Sequence, residues 1–246
     1  MLLLWGESIT LKSKIVAIHQ PNFFPWLGFF NKIWRCDSFI LLDEAQFPQT
    51  GHGTYVNRTK VLINNQPCWI TAPIRRNLGI ARPIKDIIFN EDSKWREKIL
   101  KTISMSYKRA KFYDEGFAFI EPLLLNRSIS LFEYNYSLIY NLASIWGASH
   151  KIVLGSSLQA EGKSTSLLIS LTKAVGGTAY MCGSGGKNYQ DESMFSDSNI
   201  CLIHQNFCHP IYQQNSKGAF CAGLSVIDTM MNLGINGLRD IFKSIE

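Results

Sequence analysis

The strongest constraint on the fold lies in residues 15–42, IVAIHQPNFFPWLGFFNKIWRCDSFILL. A short apolar run, Ile15 to Ile18, stops at His19, Gln20 and Pro21. Apolar residues then recur at Trp26, Phe29, Phe30, Ile33 and Trp34, the spacing of a helix that lays one face on a sheet. Cys36 and Asp37 make a turn, and Ser38–Leu42 is a second strand-like run. Two buried strands joined by one helix within about thirty residues is the span of a right-handed βαβ unit. Both runs give way to polar residues at their carboxyl ends, His19-Gln20 in one and Asp43-Glu44 in the other. Open parallel sheets bind ligands at that edge, so His19 and Asp43 are expected to face one crevice.

The same rhythm returns in the C-terminal third. Lys151–Leu154, Thr178–Cys182 and Asn199–Ile203 read as strands, and Thr165–Val175 as a helix ended by Gly176-Gly177. A last helix, Ser225–Leu233, stops at Gly234. Between the two α/β parts, Trp95, Ile99, Ile103 and Tyr107 form a helical stripe capped by Asp92 or Ser93, followed by helices over Tyr113–Leu124 and about Ser130–Trp146. Residues 48–92 are irregular, with strand-like pieces at 68–74 (CWITAPI) and 84–89 (IKDIIF) that suggest an inserted hairpin or a sheet edge. There is no internal repeat and no clear linker. The expected architecture is α/β: one Rossmann-like, mostly parallel sheet flanked by helices over residues 15–246. It carries an irregular β-containing insertion at about 48–92 and an N-terminal extension over residues 1–14.

Composition narrows the functional classes. The hydrophobic fraction of 46% excludes disorder. No stretch approaches the roughly eighteen uninterrupted apolar residues of a membrane span. The opening MLLLWGESITLK is too short an apolar run for a signal peptide, which points to the cytoplasm. The net charge of +6 suits an acidic partner. Much of it gathers in Lys94, Arg96, Lys98, Lys101, Lys108, Arg109 and Lys111. That stretch reads as a solvated helix face, with a phosphate-bearing substrate, an acidic carrier protein or a membrane surface as sharper readings. The absence of a recognised binding motif argues against nucleic acid. The six cysteines include no CxxC pair and read as reduced, mostly buried thiols. Cys201, His204, Cys208, His209 and Cys221 match no standard zinc spacing, and no metal is expected.

Candidate chemistry starts with His19, as a general base or as a hydrogen-bond donor to a phosphate in transfer. Gln20 and Asn22 would orient substrate or cap the turn. Asp43 would orient His19, act as a base or hold Mg²⁺; Gln46 is a substrate contact or a turn residue. In VNRTK, Asn57, Arg58 and Lys60 combine a fork donor with a point charge suited to carboxylate or phosphate. Gly183-Ser184-Gly185-Gly186-Lys187 follows a strand, where glycines let backbone amides approach an anion. Ser156 and Ser157 hold the comparable position after the preceding strand. There is no GxSxG elbow for a serine hydrolase, and Cys182 lacks the local context of a known cysteine nucleophile.

Taken in order, IHQPNFFPWLGFFNKI, DSFILLDEAQF, VNRTK, YMCGSGGKNYQDESMF, HPIYQQ and LSVIDTMMNLG resemble the WbqC-like protein family from about Ile15 to about Gly237. GHGTYV, just before Asn57, is where the chain departs most from the pattern. The resemblance implies a role in bacterial surface polysaccharide biosynthesis, especially that of the O-antigen of lipopolysaccharide, with glycyl or other aminoacyl transfer to a sugar suggested for members. Positions matching the family's polar motifs are His19, Gln20, Asn22, Asp43, Gln46, Asn57, Arg58, Lys60, Ser184, Lys187, Tyr189, Asp228 and Asn232. No catalytic assignment comes with them. The layout also resembles nucleotidyltransferase-type Rossmann-like enzymes, although their HxGH spacing is missing. The expected function is transfer of an acyl or aminoacyl group to an amino sugar, on a small-molecule or carrier-bound substrate. Arg58, Lys60 and the 183–187 loop, with Tyr189 beside it, would hold the phosphates of a sugar nucleotide, of ATP or of a carrier's phosphopantetheine. The alternatives are ATP-dependent nucleotidyl transfer or adenylation, and a non-catalytic subunit of a glycan assembly complex.

Overall fold

The structure is a computed structural model that describes residues 13–48, 54–76, 81–91, 94–183, 191–216 and 218–243. Strand β1 (Ile15–His19), helix α1 (Leu27–Arg35) and strand β2 (Ser38–Leu41) form the expected βαβ unit. The strands are parallel neighbours, with Val16 opposite Ser38 and His19 opposite Leu41. Three further strands complete the sheet: β5 (Ile152–Leu154), β6 (Ala179–Cys182) and β7 (Cys201–His204). The order is β5-β2-β1-β6-β7 and every pairing is parallel. The chain thus builds outward from β1 in one direction, then returns to add β6 and β7 on its other side. This is a Rossmann-like, doubly wound α/β sheet.

Alternation along the strands divides the apolar residues between the two faces, as a period of two requires. Ala17, Phe39, Leu41 and Met181 belong to the larger core. It also takes in α1 and helices α2 (Trp95–Tyr107), α3 (Tyr113–Leu124), α4 (Leu131–Ser144) and α7 (Val226–Asp240). Val16, Ile18, Ile40, Tyr180 and Cys182 point the other way. There they meet Ile169 and Leu171 of α5 (Thr165–Ala174) and Phe195 of α6 (Glu192–Asp197).

Local chemistry explains most boundaries. The Ser130 side chain accepts from the Glu133 amide and starts α4. Past α5, Gly176 takes φ 69° while the Gly177 amide returns to Thr172 O. The expected break at Gly234 is present, at φ 70°. The chain resumes its helix there and continues to Asp240, because Leu238 and Phe242 are drawn into the core around Trp146.

The insertion differs from expectation. Its hairpin pairs β3 (Arg58–Ile63) with β4 (Gln66–Thr71) through Asn64-Asn65, both at positive φ, the two-residue turn that matches strand twist. IKDIIF is not a strand of that hairpin: Ile84–Asp86 is a 3-10 turn, followed only by isolated bridges of Phe89 to Ile74 and Ile88 to Ser130. Its buried residues Ile84 and Ile87 stand three apart, the spacing of a helical turn. Asp92 and Ser93, the expected caps of α2, lie outside the described residues. Among the described residues no helix is long and apolar enough to cross a membrane.

Candidate active site

The strand order reverses between β1 and β6, the switch point at whose carboxyl ends open α/β sheets generally bind ligands. His19 ends β1 on one side, and Cys182-Gly183 ends β6 on the other. The turn after His19 is tied down from several directions. Phe24, at φ 40°, offers its carbonyl to Thr59 Oγ1 at 3.0 Å and to Ser225 Oγ at 2.8 Å. Asn135 Nδ2 donates to Pro21 O and Val56 O at 2.9 and 2.7 Å. A bulky residue in the left-handed region persists only where its surroundings over-determine it.

His19 is half-buried, and its ring meets the edge of Phe29 at 4.9 Å. Burial first, and the Lys32 ammonium second, push its pKa down to about 3, so the imidazole is neutral at pH 7. Nδ1 lies 2.9 Å from Gln20 O. A carbonyl only accepts, so Nδ1 carries the proton and donates, leaving Nε2 as a lone pair.

Lys32 is the residue that sequence reasoning missed. It projects from α1 with only 6% of its surface exposed, and burial pulls its pKa down to about 8 against the influence of the Cys182 and Cys36 thiols. A Cβ added at Gly183 would lie 3.1 Å from Lys32 Nζ, so the ammonium rests directly against the Gly183 backbone. Among the described residues no carboxylate pairs with it. Gln205, just past β7, fixes this part of α1: its Nε2 donates to Gly28 O at 2.6 Å and to Asn31 Oδ1 at 3.1 Å. Its amide binds Cys182 O, and its carbonyl receives Arg35 Nη1 at 2.7 Å.

Asp43 is 1% exposed, and its Oδ1 accepts from the Ser156 amide at 3.0 Å. The expectation that it orients His19 is replaced: the Nδ1 position through which it would act is occupied by Gln20 O. Asp43 instead fastens the end of β5, where a Cβ on Gly155 would come within 3.3 Å of it. Ser157 Oγ donates to Leu154 O. Asn22 is buried and Gln20 half-buried beside His19 in the turn, whereas Gln46 is exposed and bridges through its backbone to Pro83.

Asn57 Nδ2 donates to Ala72 O at 2.9 Å, a bond that closes the hairpin. Arg58 and Lys60 come together over the Trp69 ring, at 4.2 and 5.0 Å from its centroid, with Tyr55 beside it at 5.2 Å. Ser184, Gly185, Gly186, Lys187 and Tyr189 lie outside the described residues.

Asp228 and Asn232 organise a second polar centre. Asp228 is fully buried and accepts from Tyr107 Oη at 3.0 Å, Tyr212 Oη at 2.7 Å and Gln214 Nε2 at 3.0 Å. Burial raises its pKa, and these hydrogen bonds oppose the rise. Asn232 Oδ1 accepts from the Asn215 amide at 2.8 Å. The HPIYQQ and LSVID strings thus meet through Asp228.

The thiols are less buried than expected: Cys36 and Cys182 are buried, Cys68 and Cys221 intermediate, and Cys201 and Cys208 exposed. Cys182 Sγ lies 3.2 Å from His204 Nδ1, and His204 Nε2 lies 3.7 Å from Glu192. This contact joins opposed residues of β6 and β7. Among the described residues no three His, Cys, Asp or Glu side chains gather as a metal-binding group.

The carboxyl ends of β1 and β6 therefore bring together a buried ammonium, Gly183 and an imidazole lone pair, groups suited to an anionic group and a transferable proton. A model of the WbqC-like protein family matches residues 20–240. The chain is also 23% identical over 222 residues to Rv1507c, an uncharacterized protein of Mycobacterium tuberculosis, across 90% of this chain and 94% of that protein. No solved structure matches it. Over nearly its whole length, the chain belongs to the WbqC-like protein family.

Proposed function

We propose that the protein is a cytoplasmic transferase of bacterial surface polysaccharide biosynthesis that passes an acyl or aminoacyl group to an amino sugar. In this reading a phosphate-bearing substrate, free or attached to an acidic carrier, sits in the β1/β6 crevice. The observation that carries the reading is the Lys32 ammonium, buried against Gly183 with no carboxylate partner among the described residues. A pKa lowered from 10.5 to about 8 corresponds to a cost on the order of 3 kcal/mol for the charged form. A phosphate beside Lys32 offsets that cost, and the glycine backbone leaves room for it. The family resemblance supplies the polysaccharide context and the acyl chemistry.

His19 then has a defined role. An anion beside Lys32 cancels part of the positive field on the imidazole and raises its pKa toward the ordinary range. The acceptor amine attacks the acyl carbonyl carbon, forming the C–N bond. The bond to the phosphate or thiol leaving group breaks, and the amine proton passes to His19 Nε2. Gln20 and Asn22 position the acceptor, and Asp43 keeps the β2/β5 edge in place.

His19→Ala should abolish transfer, read as loss of the mass increment on the amino sugar, while the circular dichroism spectrum is unchanged. Full retained transfer would sink this role. ATP-dependent nucleotidyl transfer is the second reading, favoured by a doubly wound sheet with a histidine-bearing first turn. It predicts pyrophosphate release from ATP with the acceptor present; acyl transfer from a preformed donor predicts none.

A further inference from the structure

The basic stretch at residues 94–111 splits into two parts. Arg96 is 2% exposed, pairs with Glu91 and donates to Asn126 O and Ser128 O, while Lys94, Lys98 and Lys101 are exposed on their helix. Lys108, Arg109 and Lys111 instead border a cleft of about 800 Å³ between the end of α2, the β3–β4 turn and residues 213–216. No carboxylate lines this cleft, and none pairs with these three cations among the described residues. The dipole of α2 accounts for a cation at its end, but not for three cations gathered on an acid-free cavity.

The floor and walls are built differently. Tyr107, Gln214 and Asn232 in the floor spend their polar groups on Asp228, Leu62 N, Cys221 and Asn215 N, which holds the floor rigid. Asp228 itself does not line the cleft. The walls carry the carboxamides of Asn64, Gln213 and Asn215. A carboxamide both donates and accepts, which matches the paired hydroxyls of a saccharide, whereas lysine and arginine match phosphate oxygens. Among the described residues the single lining ring, Tyr107, is 1% exposed and offers no face on which a nucleobase could stack.

We infer that this cleft binds a glycosyl phosphate or diphosphate, with the phosphate on Lys108, Arg109 and Lys111 and the sugar hydroxyls on Asn64, Gln213 and Asn215. That chemistry is presented by a soluble nucleotide sugar and equally by a lipid-linked sugar diphosphate. The inference stands apart from the transferase reading, since neither His19 nor Lys32 lines the cleft.

The test is calorimetric titration of the full chain at fixed ionic strength, in the Lys32→Met background so that the β1/β6 crevice is silent, and repeated in wild type. The probes are UDP-N-acetylglucosamine, micelle-borne farnesyl-diphosphoryl-N-acetylglucosamine, inorganic pyrophosphate and a short DNA duplex. One of the two sugar diphosphates should bind about tenfold tighter than pyrophosphate, and the tighter one identifies the source. Lys108→Ala/Arg109→Ala/Lys111→Ala should weaken it ~100-fold. Asn64→Ala/Gln213→Ala should weaken it ~tenfold and leave pyrophosphate unaffected. Lys108→Arg/Lys111→Arg, which keeps the charge, should retain binding, and an unchanged melting temperature checks the fold of each variant. Pyrophosphate binding as tightly as both sugars, a triple variant no weaker than its parent, or tighter binding of DNA would each overturn the inference.

Discussion

At the scale of single residues, burial favours the neutral form of both His19 and Lys32, and the Lys32 ammonium adds to the depression of His19. Lys32→Met removes the second cause of the His19 depression, so the His19 pKa should rise from about 3, as followed by the imidazole carbon shifts in an NMR titration. An unchanged value would mean that burial alone sets it. The same pair predicts the pH dependence of stability. His19 binds fewer protons folded than unfolded between about 3 and 6.5, and Lys32 likewise between about 8 and 10.5. Stability should therefore fall as pH drops from 6.5 toward 3, and rise as pH climbs from 8 to 10.5. Lys32→Met should flatten the upper limb and stabilise the unliganded protein by about 1–3 kcal/mol in urea unfolding at pH 7. His19 was legible in the sequence because a strand end exposes chemistry in any parallel sheet. Lys32 was not, because a helix pattern read for its apolar face hides a lysine whose head reaches past that face to a backbone 150 residues away.

At the scale of elements, the β1–α1 turn is the part most dependent on remote support. Thr59→Ala and Ser225→Ala each remove one donor to the Phe24 carbonyl and should cost about 1–2 kcal/mol, measured by denaturant midpoint at constant slope. Gly28→Ala drives a methyl into the Trp26 ring, which must move. It should destabilise by about 1–3 kcal/mol and shift the tryptophan emission. No gain or loss on either observable would show that the ring is loosely held. Strands, helices and the βαβ unit were readable from periodicity, since their residues are buried on a fixed repeat. The hairpin was misassigned because its turn is written in Asn64-Asn65 rather than in glycine, and because IKDIIF mixes two spacings over six residues. The bond from Asp43 to Ser156 was beyond reach of sequence, since it depends on β5 lying beside β2.

At the scale of the molecule, the sheet order does most to place chemistry. A strand order that reverses beside β1 makes the carboxyl ends of β1 and β6 a switch point, and the chain brings its first helix and Gly183 there from positions far apart in sequence. The α2–α4 and α7 layer, absent from a bare βαβ repeat, extends the larger core and supports the second cleft. That cleft was not legible beforehand, because its walls come from three separate segments and its cations read as a solvated helix face. The proposed function stands on an anion binding Lys32 at the β1/β6 switch point. It is tested most directly by following the Lys32 side-chain nitrogen shift against pH with and without inorganic pyrophosphate. Pyrophosphate should produce a saturable rise of the Lys32 pKa from about 8 toward 10.5, with His19 rising alongside it from about 3. A Lys32 titration unchanged by saturating pyrophosphate would contradict it.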